Sequence, residues 1–219
     1  MENKQWKKAV QAYLACNMFA DHCAGRVLDA LAASPYADNT IVVLCSDHGF
    51  HLGEKQRWAK RSMWEDGTRV PLIIAGPGIK PARILQPAGL IDIYPTLLDL
   101  CGYDANPKHE GHSLRPLLSN SEADWPHAAI TTFGPKNHAV RSTNFRYIRY
   151  ADGSEELYDH RTDPHEWHNV AALAKHKSTI REHRKWLPKN DRPVIAGTRA
   201  SGHTAYVDAE KARKKREQE

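Results

Sequence analysis

The residues best suited to chemistry in this sequence are Asp47, His48 and Gly49, which directly follow the apolar run 40–46. An apolar run that ends in an acid and an imidazole is typical of a strand that carries ligands at its carboxyl end, where open α/β sheets bind them. Asp47 offers a carboxylate oxygen suited to calcium or magnesium, and His48 offers a neutral ring nitrogen. Gly49 allows a sharp backbone turn behind them. The same three residues are also common where a strand simply ends in a turn, so this motif alone leaves both interpretations open.

A second group of polar residues follows between positions 51 and 60. Trp58 and Lys60 place an indole wall beside an ammonium group, a combination that suits an anionic substrate. His51 is a candidate for the same pocket, and equally for a loop histidine whose hydrogen bonds are satisfied within the protein. The other charges of this stretch are typical of a solvated loop: Glu54, Lys55 and Arg57.

The segments around these residues alternate between helical and extended patterns. Apolar residues at helical spacing predict a helix from residue 5 to about 33. Two buried strands are predicted at 40–46 and 70–75, joined by a polar loop. A second helix is predicted at 91–100, with Gly102 at its C-cap. This alternation favours an α/β domain with a parallel, doubly wound sheet.

Beyond about residue 120 the pattern changes to short β-like runs separated by Gly, Asn and Asp. These runs predict a small antiparallel sheet, followed by a helix around 171–187 that Pro188 ends. The sheet is expected to pack against the preceding part. The sequence thus predicts three parts: an α/β portion at 1–120, a small antiparallel-sheet subdomain with a helix at 121–188, and a basic, extended tail at 189–219.

The net charge of +5 is unevenly distributed along the chain. Residues 175–219 hold 13 Lys and Arg against 6 Asp and Glu, and the excess ends in the cluster 211–216. Such a cluster could bind a sulfated polysaccharide or nucleic acid, but it is also typical of a solvated tail, and we predict no nucleic-acid partner. No apolar run approaches the roughly 20 residues that span a bilayer. The first residues lack the pattern of a signal peptide, and the compartment is left open.

The four cysteines do not form a disulfide framework or a zinc motif. Cys16 and Cys23 are too far apart along the predicted helix to pair with each other. Cys45 lies in the first predicted strand and Cys101 near a helix end, and no C-x-x-C pair is present. We predict four small thiols that are buried or partly buried.

Several ordered stretches together resemble the sulfatases of the alkaline-phosphatase superfamily, and within them the iduronate-2-sulfatase-like branch. These stretches read Ser-Asp-His-Gly-Phe-His-Leu-Gly-Glu at 46–54, Trp-Ala-Lys at 58–60 and Glu-Asp-Gly-Thr-Arg-Val-Pro-Leu-Ile at 65–73. The similarity runs in the family's order from about residue 10 to 187. It implies part of a doubly wound, mixed sheet of the alkaline-phosphatase-like fold, followed by the small antiparallel sheet and a C-terminal helix.

The resemblance also implies a role for each candidate residue. Asp47 and His48 match positions that complete a calcium shell. Lys60 matches the catalytic lysine that binds the sulfate and offsets charge on the bridging oxygen as the ester breaks. His51 and Trp58 lie where this branch lines its substrate pocket, together with Lys60. The reaction implied is hydrolysis of a sulfate ester on a carbohydrate, such as a uronate 2-sulfate.

The sequence departs from the family at the nucleophile. Family members use a formylglycine made from a cysteine in a C-x-P/A-S/T-R type motif, and none of the four cysteines here stands in one. The paired aspartates that supply the rest of the calcium shell are also absent. The sequence therefore resembles the C-terminal two-fifths of a sulfatase. We expect it to be inactive alone and prone to associate, with calcium ligands and formylglycine supplied by an N-terminal part, which could be a separate sulfatase half.

Three functions remain open at this point. The first is the sulfatase fragment just described. The second is a non-catalytic module that binds sulfated glycans. The third is a phosphatase or phosphodiesterase of the same superfamily, against which the stretches at 58–60 and 68–72 favour the sulfatase.

Overall fold

The computed structural model describes residues 5–191 of the chain. Its first element is a long helix, α1 (Trp6–Ala32), which agrees with the predicted span. Ala33 caps the helix with a backbone N–H directed to its last carbonyls, and the Ser34 hydroxyl donates to the Leu31 carbonyl at 2.7 Å. A 3-10 turn (Ala37–Asn39) then leads to the first strand. The tail predicted at 189–219 lies almost wholly outside the described residues.

The first two predicted strands form a two-stranded sheet, β1 (Val42–Cys45) and β4 (Leu72–Ala75). They pair antiparallel, with Val42 opposite Ala75 and Cys45 opposite Leu72, so the predicted parallel relation is wrong for this pair. The reason lies in the connection. Parallel neighbours require a crossover, usually through a helix, whereas the chain between these strands folds as a hairpin and one helical turn, which lets the second strand return in the opposite direction.

The predicted polar loop between these strands contains short regular elements. Two short strands of two residues each, β2 (His51–Leu52) and β3 (Trp58–Ala59), pair as a hairpin. The loop between them contains a 3-10 turn (Glu54–Gln56). A single helical turn, α2 (Glu65–Thr68), follows before β4. These elements position the candidate side chains His51, Trp58 and Lys60 along the loop.

The second predicted helix is present as α3 (Ile93–Leu100), preceded by a 3-10 turn (Leu90–Asp92). Gly102 follows its end with φ of +76°, the left-handed conformation that glycine adopts without strain. The Tyr103 N–H donates to the Leu98 carbonyl at 2.8 Å and completes the cap. The C-cap residue is Cys101, and Gly102, predicted at that position, follows it as the left-handed residue that ends the helix. A short helix α4 (Arg115–Ser119) packs beyond it.

The predicted antiparallel sheet is confirmed as four strands in chain order. A 3-10 turn (Ala174–His176) and the helix α5 (Lys177–Arg184) follow, so the observed helix is shorter than the predicted span 171–187. The strands are β5 (Ala129–Thr132), β6 (His138–Arg141), β7 (Phe145–Arg149) and β8 (Glu155–Asp159).

This sheet holds most of the buried core. Because side chains alternate along a strand, β6, β7 and β8 present one apolar set to each face. One set packs beneath α5 through Ile180, and the other packs against Met63 and Trp64 of the preceding loop. The buried residues of the two faces are Val140, Tyr147 and Leu157 on the α5 side, and Ala139, Ile148 and Tyr158 on the Met63 side.

The first part of the chain is far more open. α1 contains no buried residue, and neither strand of the β1–β4 sheet does. The expectation that these strands are buried is therefore wrong within the described residues, because no second layer covers them. The four cysteines are also all exposed, which corrects the prediction of buried thiols. Within residues 5–191, no helix has the length and apolar character needed to cross a membrane.

Candidate active site

β1 delivers Asp47 and His48 to an open cleft of about 1790 Å³. The Nδ1 atom of His48 lies 2.8 Å from the carbonyl oxygen of Gly49. A carbonyl can only accept, so in the neutral ring Nδ1 carries the hydrogen and Nε2 presents a lone pair. Asp47 Oδ1 lies 3.7 Å from that Nε2 atom. The two predicted metal ligands thus present one oxygen and one nitrogen side by side.

Gly49 allows the backbone behind Asp47 and His48 to lie close to α2. A Cβ atom at this position would lie 2.1 Å from the Asp66 carbonyl oxygen and 2.9 Å from that of Arg69. The Gly49 N–H donates instead to the carbonyl of Gly67 at 3.1 Å. Only glycine therefore allows the end of β1 to pack directly against α2, as the sequence interpretation expected of a sharp turn.

Lys60 reaches the same place from the hairpin. It follows β3 and is flanked by two residues of positive φ, Ala59 at 68° and Arg61 at 75°. Its Nζ atom lies 2.7 Å from Nε2 of His48. Since Nε2 holds the free lone pair, the Lys60 ammonium donates to it. The structure therefore brings together Asp47, His48 and Lys60, which the resemblance assigned to one site.

The cleft around this trio carries an excess of positive side chains. Such a lining suits an anionic group, because clefts with one sign of charge concentrate counter-ions of the other. The basic lining residues are Lys60, Arg61, Arg69, Lys80, Arg83, Arg141, Arg146 and Arg161, and the acidic ones are Asp47, Glu65, Asp92 and Glu110.

His51 and Trp58 lie elsewhere on the hairpin and do not line this cleft. His51 is buried, and its Nε2 lies 2.6 Å from the Ser62 hydroxyl. Trp58 is 43% exposed and packs edge-on against Phe50, whose ring in turn contacts Tyr13 of α1. The structure does not bring these two side chains together with Lys60, and their role in substrate binding stays a prediction.

A buried ionic network joins the hairpin segment to the C-terminal sheet, and sequence reasoning did not identify it. Glu65 of α2 pairs with Arg146 and with Arg141, the latter at 3.1 Å. Arg146 Nε also lies 2.7 Å from Oε1 of Glu166. The second oxygen of Glu166 accepts the Glu65 N–H at 2.8 Å, and its first oxygen contacts His160 Nε2 at 2.8 Å. The network therefore fixes the segment that follows Lys60.

The electrostatics of Glu65 follow from these partners. Burial opposes ionisation of the carboxyl, but the charges of Arg146 and Arg141 outweigh it and lower the pKa of Glu65 to about 2. Burial lowers the pKa of Arg141, an effect that the charge of Glu65 opposes. Glu65 is therefore ionised throughout the physiological range, and its negative charge is matched by guanidinium groups.

The signal that could have located this network is the alternation in β7. Arg146 lies between Phe145 and Tyr147 and pairs with Tyr158, so it shares a face with Ile148. That is the face that covers Met63, and Arg146 also donates to the Met63 carbonyl at 3.1 Å. A charged residue at an inward position of a strand requires a buried partner. The pattern alone does not say that the partner is Glu65.

Comparison with protein families gives two overlapping matches. Residues 1–103 match the family described as sulfatase. Residues 53–192 match the family described as N-sulphoglucosamine sulphohydrolase, C-terminal. The second match covers more than half of the chain and contains β3, the ionic network and the four-stranded sheet.

Individual relatives extend this similarity. A sulfatase of Formosa agariphila is 50% identical over 188 residues, which are 85% of this chain and 37% of the relative. A delta 4,5-hexuronate-2-O-sulfatase of Bacteroides thetaiotaomicron is 35% identical over 176 residues, 74% of this chain and 36% of the relative. The chain thus spans a little over a third of the length of these relatives.

A solved structure in complex with its substrate D-glucosamine-2-N,6-O-disulfate has a similar fold. It superposes with a TM-score of 0.71 at 31% identity, over 83% of this chain and 40% of that one. The predicted fold class, part of the α/β alkaline-phosphatase-like sulfatase fold followed by a small antiparallel sheet and a C-terminal helix, is confirmed. The chain belongs to the sulfatase family.

Proposed function

We propose that this chain supplies one side of a sulfatase active site that hydrolyses sulfate esters of carbohydrates. The observation that carries the proposal is the meeting of Asp47, His48 and Lys60, with Lys60 Nζ 2.7 Å from His48 Nε2, at a cleft rich in arginine and lysine. A cationic cleft with an ammonium group at its metal-ligand edge is complementary to a sulfate group. The iduronate-2-sulfatase-like branch and the uronate 2-sulfate substrate belong to this proposal.

Lys60 has the electrostatic role. Hydrolysis of a sulfate ester builds negative charge on the bridging oxygen as its bond to sulfur breaks. A fixed ammonium group aimed at that oxygen stabilises the transition state more than the ground state. In the structure the Lys60 ammonium donates to His48, so it must exchange this partner for a sulfate oxygen when substrate binds.

Asp47 and His48 fit two positions of a calcium shell. Asp47 Oδ1 and His48 Nε2 lie 3.7 Å apart, a separation that two ligands of one ion can have, and the Gly49 carbonyl fixes the tautomer in which Nε2 presents its lone pair. Lys60 donates to this lone pair in the structure and would have to release it for an ion to bind. Calcium requires six to eight ligands, so further oxygen donors must come from outside this pair. When bound, the ion supplies positive charge that polarises the sulfate.

We propose that the nucleophile comes from the remaining part of the sulfatase, on the same polypeptide or on a separate half. Three observations support this. The chain spans a little over a third of its relatives, and none of its four cysteines stands in the formylglycine motif. The open surfaces of α1 and the β1–β4 sheet are apolar, with Phe19 69% and Ile73 56% exposed, and suit coverage by further protein.

The test is an activity measurement with and without the complementary part. The chain would be purified alone, and also as a fusion behind the part of the Formosa agariphila sulfatase that precedes the matched region, with formylglycine installed. Substrates would be an unsaturated uronate 2-sulfate disaccharide, p-nitrophenyl sulfate, choline sulfate and the matching phosphate ester. We expect turnover only in the fusion, and fastest on the disaccharide.

Lys60→Ala in the active fusion is expected to lower kcat by hundreds-fold, the scale for losing one charge-stabilising group. The matched control is Lys175→Ala, since Lys175 is an exposed lysine outside the cleft. A loss below tenfold would mean that Lys60 does not have the catalytic role. Faster turnover of the phosphate ester would favour the phosphatase alternative, and glycan binding without turnover in the fusion would favour the binding module.

A further inference from the structure

A second group of side chains of metal-ligating types lies on the hairpin and α2, apart from Asp47 and His48. His51 is 1% exposed, and its Nδ1 atom is buried without a hydrogen-bond partner. That atom faces the Asp66 carboxylate, with Nδ1 3.9 Å from Oδ2. The distance is too long for a hydrogen bond, which requires about 3.2 Å or less. A buried imidazole nitrogen therefore faces a carboxylate without contacting it.

Glu54 completes the group. It lies in the 3-10 turn of the hairpin, and its Oε2 atom accepts the Leu52 N–H at 2.6 Å. Donor atoms of His51, Glu54 and Asp66 all lie within 4.8 Å of one another. The three residues come from β2, from the turn after it and from α2, so three separate parts of the segment 51–66 converge at one point.

The hydrogen bond between His51 and Ser62 is compatible with a tautomer that leaves Nδ1 for a metal. If Nε2–H donates to the Ser62 hydroxyl, which lies 2.6 Å away, then Nδ1 carries the lone pair and faces two carboxylates. Burial lowers the pKa of His51 and so favours the neutral ring, and burial raises the pKa of Asp66, with the charge of Glu54 adding to the effect. A lone pair and two carboxylates at one point are complementary to a cation.

A comparable group shows how acidic side chains are neutralised within the protein. Glu65, His160 and Glu166 also place their donor atoms together, but Arg146 lies among them as counter-ion. Every acidic group there is paired with a guanidinium or an imidazole. In the group around His51, Asp66 faces an imidazole at 3.9 Å and not a guanidinium in contact.

We propose that His51, Glu54 and Asp66 bind a divalent cation of the zinc class. One imidazole and two carboxylates are a ligand set that zinc accepts, with water completing the shell. Two ligands of a tetrahedral zinc ion lie about 3.4 Å apart, so the 3.9 Å between Nδ1 and Oδ2 would shorten by about 0.5 Å on binding. Glu54 has a second carboxylate oxygen, besides the one that accepts the Leu52 N–H, to offer to the same shell.

The bound ion would fix the hairpin that carries Trp58 and Lys60. It would tie β2 to α2 at the base of the loop, so that the loop between them has less freedom. This role goes beyond the proposed sulfatase chemistry and does not require substrate. The ion acts here as a cross-link between three points of the chain.

The test is a zinc titration of the 219-residue chain after treatment with a chelator. The readouts are the ¹⁵N signals of the His51 ring, assigned by NMR, and the dissociation constant from calorimetry. Zinc is expected to shift the Nδ1 signal strongly at one equivalent while Nε2 stays in its hydrogen-bonded position. Glu54→Gln and Asp66→Asn are expected to weaken zinc binding at least tenfold. Asp21→Asn, an exposed acid on α1, is the matched control and should bind as the unmodified chain does.

The proposal is overturned if zinc leaves the His51 signals unchanged, or if both variants bind zinc as tightly as the Asp21→Asn control. A shift caused by calcium and not by zinc would also overturn the assignment of the zinc class. Should a variant fail to fold, the ring signals of the unmodified chain decide the question by themselves. Because no readout depends on sulfate turnover, failure here leaves the proposed sulfatase function untouched.

Discussion

The two ends of the described chain differ in how they are held together. The C-terminal sheet buries apolar side chains on both faces, including Tyr147 and Ile148, which are fully buried. The N-terminal part has the long α1 and the β1–β4 sheet, and neither contains a buried residue. Yet Asp47, His48 and Lys60 belong to the open part. The comparison teaches that the residues proposed for chemistry are placed on a scaffold that gains little stability from its own packing.

The Glu65 network is one link between the two parts, beside the packing of Met63 and Trp64 against the sheet. Glu65 follows the loop that carries Lys60, and its partners Arg146 and Arg141 belong to the packed sheet. The open part is therefore held in position both by apolar contacts and by charges and hydrogen bonds that reach into the packed part. The predictions below separate these contributions, beginning with the substitution expected to cost most.

Glu65→Gln should cost about 3–5 kcal/mol of unfolding free energy, because it leaves Arg146 and Arg141 buried with less negative charge than they need. Urea denaturation at pH 7 measures it. Glu122→Gln is the matched control, since its carboxylate has neither a described ion pair nor burial and its loss should change little. A cost below 1 kcal/mol at Glu65 would show that the network does not stabilise the link.

Ile148→Ala and Ile73→Ala compare the two parts directly. Ile148 is fully buried in the C-terminal sheet, and its truncation should cost about 2–5 kcal/mol. Ile73 is 56% exposed on β4, and its truncation in the isolated chain should cost no more than about 0.5 kcal/mol. Thermal unfolding of both variants gives the comparison.

The Ile73 variant also tests the proposed completion of the site. If the rest of a sulfatase covers the β1–β4 sheet, the same substitution in the active fusion should cost several times more than in the isolated chain. Equal, small costs in both would mean that this face stays open in the complete enzyme.

The elements of the packed part could be predicted largely from sequence, because their signals are local. Alternating residues and turn residues locate β5 to β8, and the conformation of Gly102 follows from its place after a helix. The relation of β1 to β4 could not be predicted in the same way. Apolar runs indicate strands but not direction, and the antiparallel pairing depends on the fold of the loop between them.

The candidate site also combines features that the sequence predicts with features that depend on how the loop folds. The 2.7 Å approach of Lys60 to His48 was expected only through the resemblance, because the two residues are twelve positions apart with the β2–β3 hairpin between them. His51 shows what such transfer leaves open. The resemblance placed it at the substrate pocket, and its residue type equally allowed a loop histidine. The side chain lies buried against Ser62, and its role in substrate binding stays a prediction. A family motif gives the order of residues more securely than the direction of each side chain.

The pH dependence of stability should report on Glu65. Its pKa is lowered from 4.5 to about 2 in the folded chain, so its contribution is fully present above about pH 5 and is lost as the pH falls toward 2. The shift corresponds to about 3 kcal/mol. Urea denaturation between pH 7 and pH 3, compared between the chain and Glu65→Gln, isolates this term from other acids. Parallel curves for the two proteins would contradict it.

The smallest effect is expected at an ion pair on the surface of the packed part. Arg184 of α5 contacts Glu155 through two nitrogens, at 2.7 and 2.9 Å, but its side chain is half exposed. Water and salt screen such a pair, so Arg184→Ala should lower the free energy of unfolding by at most about 1 kcal/mol. The cost should shrink in 0.5 M salt, and that of Glu65→Gln should shrink less, because the Arg146 and Glu65 side chains are only 3% and 12% exposed. A large, salt-independent cost at Arg184 would mean that α5 depends on charge as much as the link at Glu65 does. The packed and open parts would then differ only in their buried apolar area.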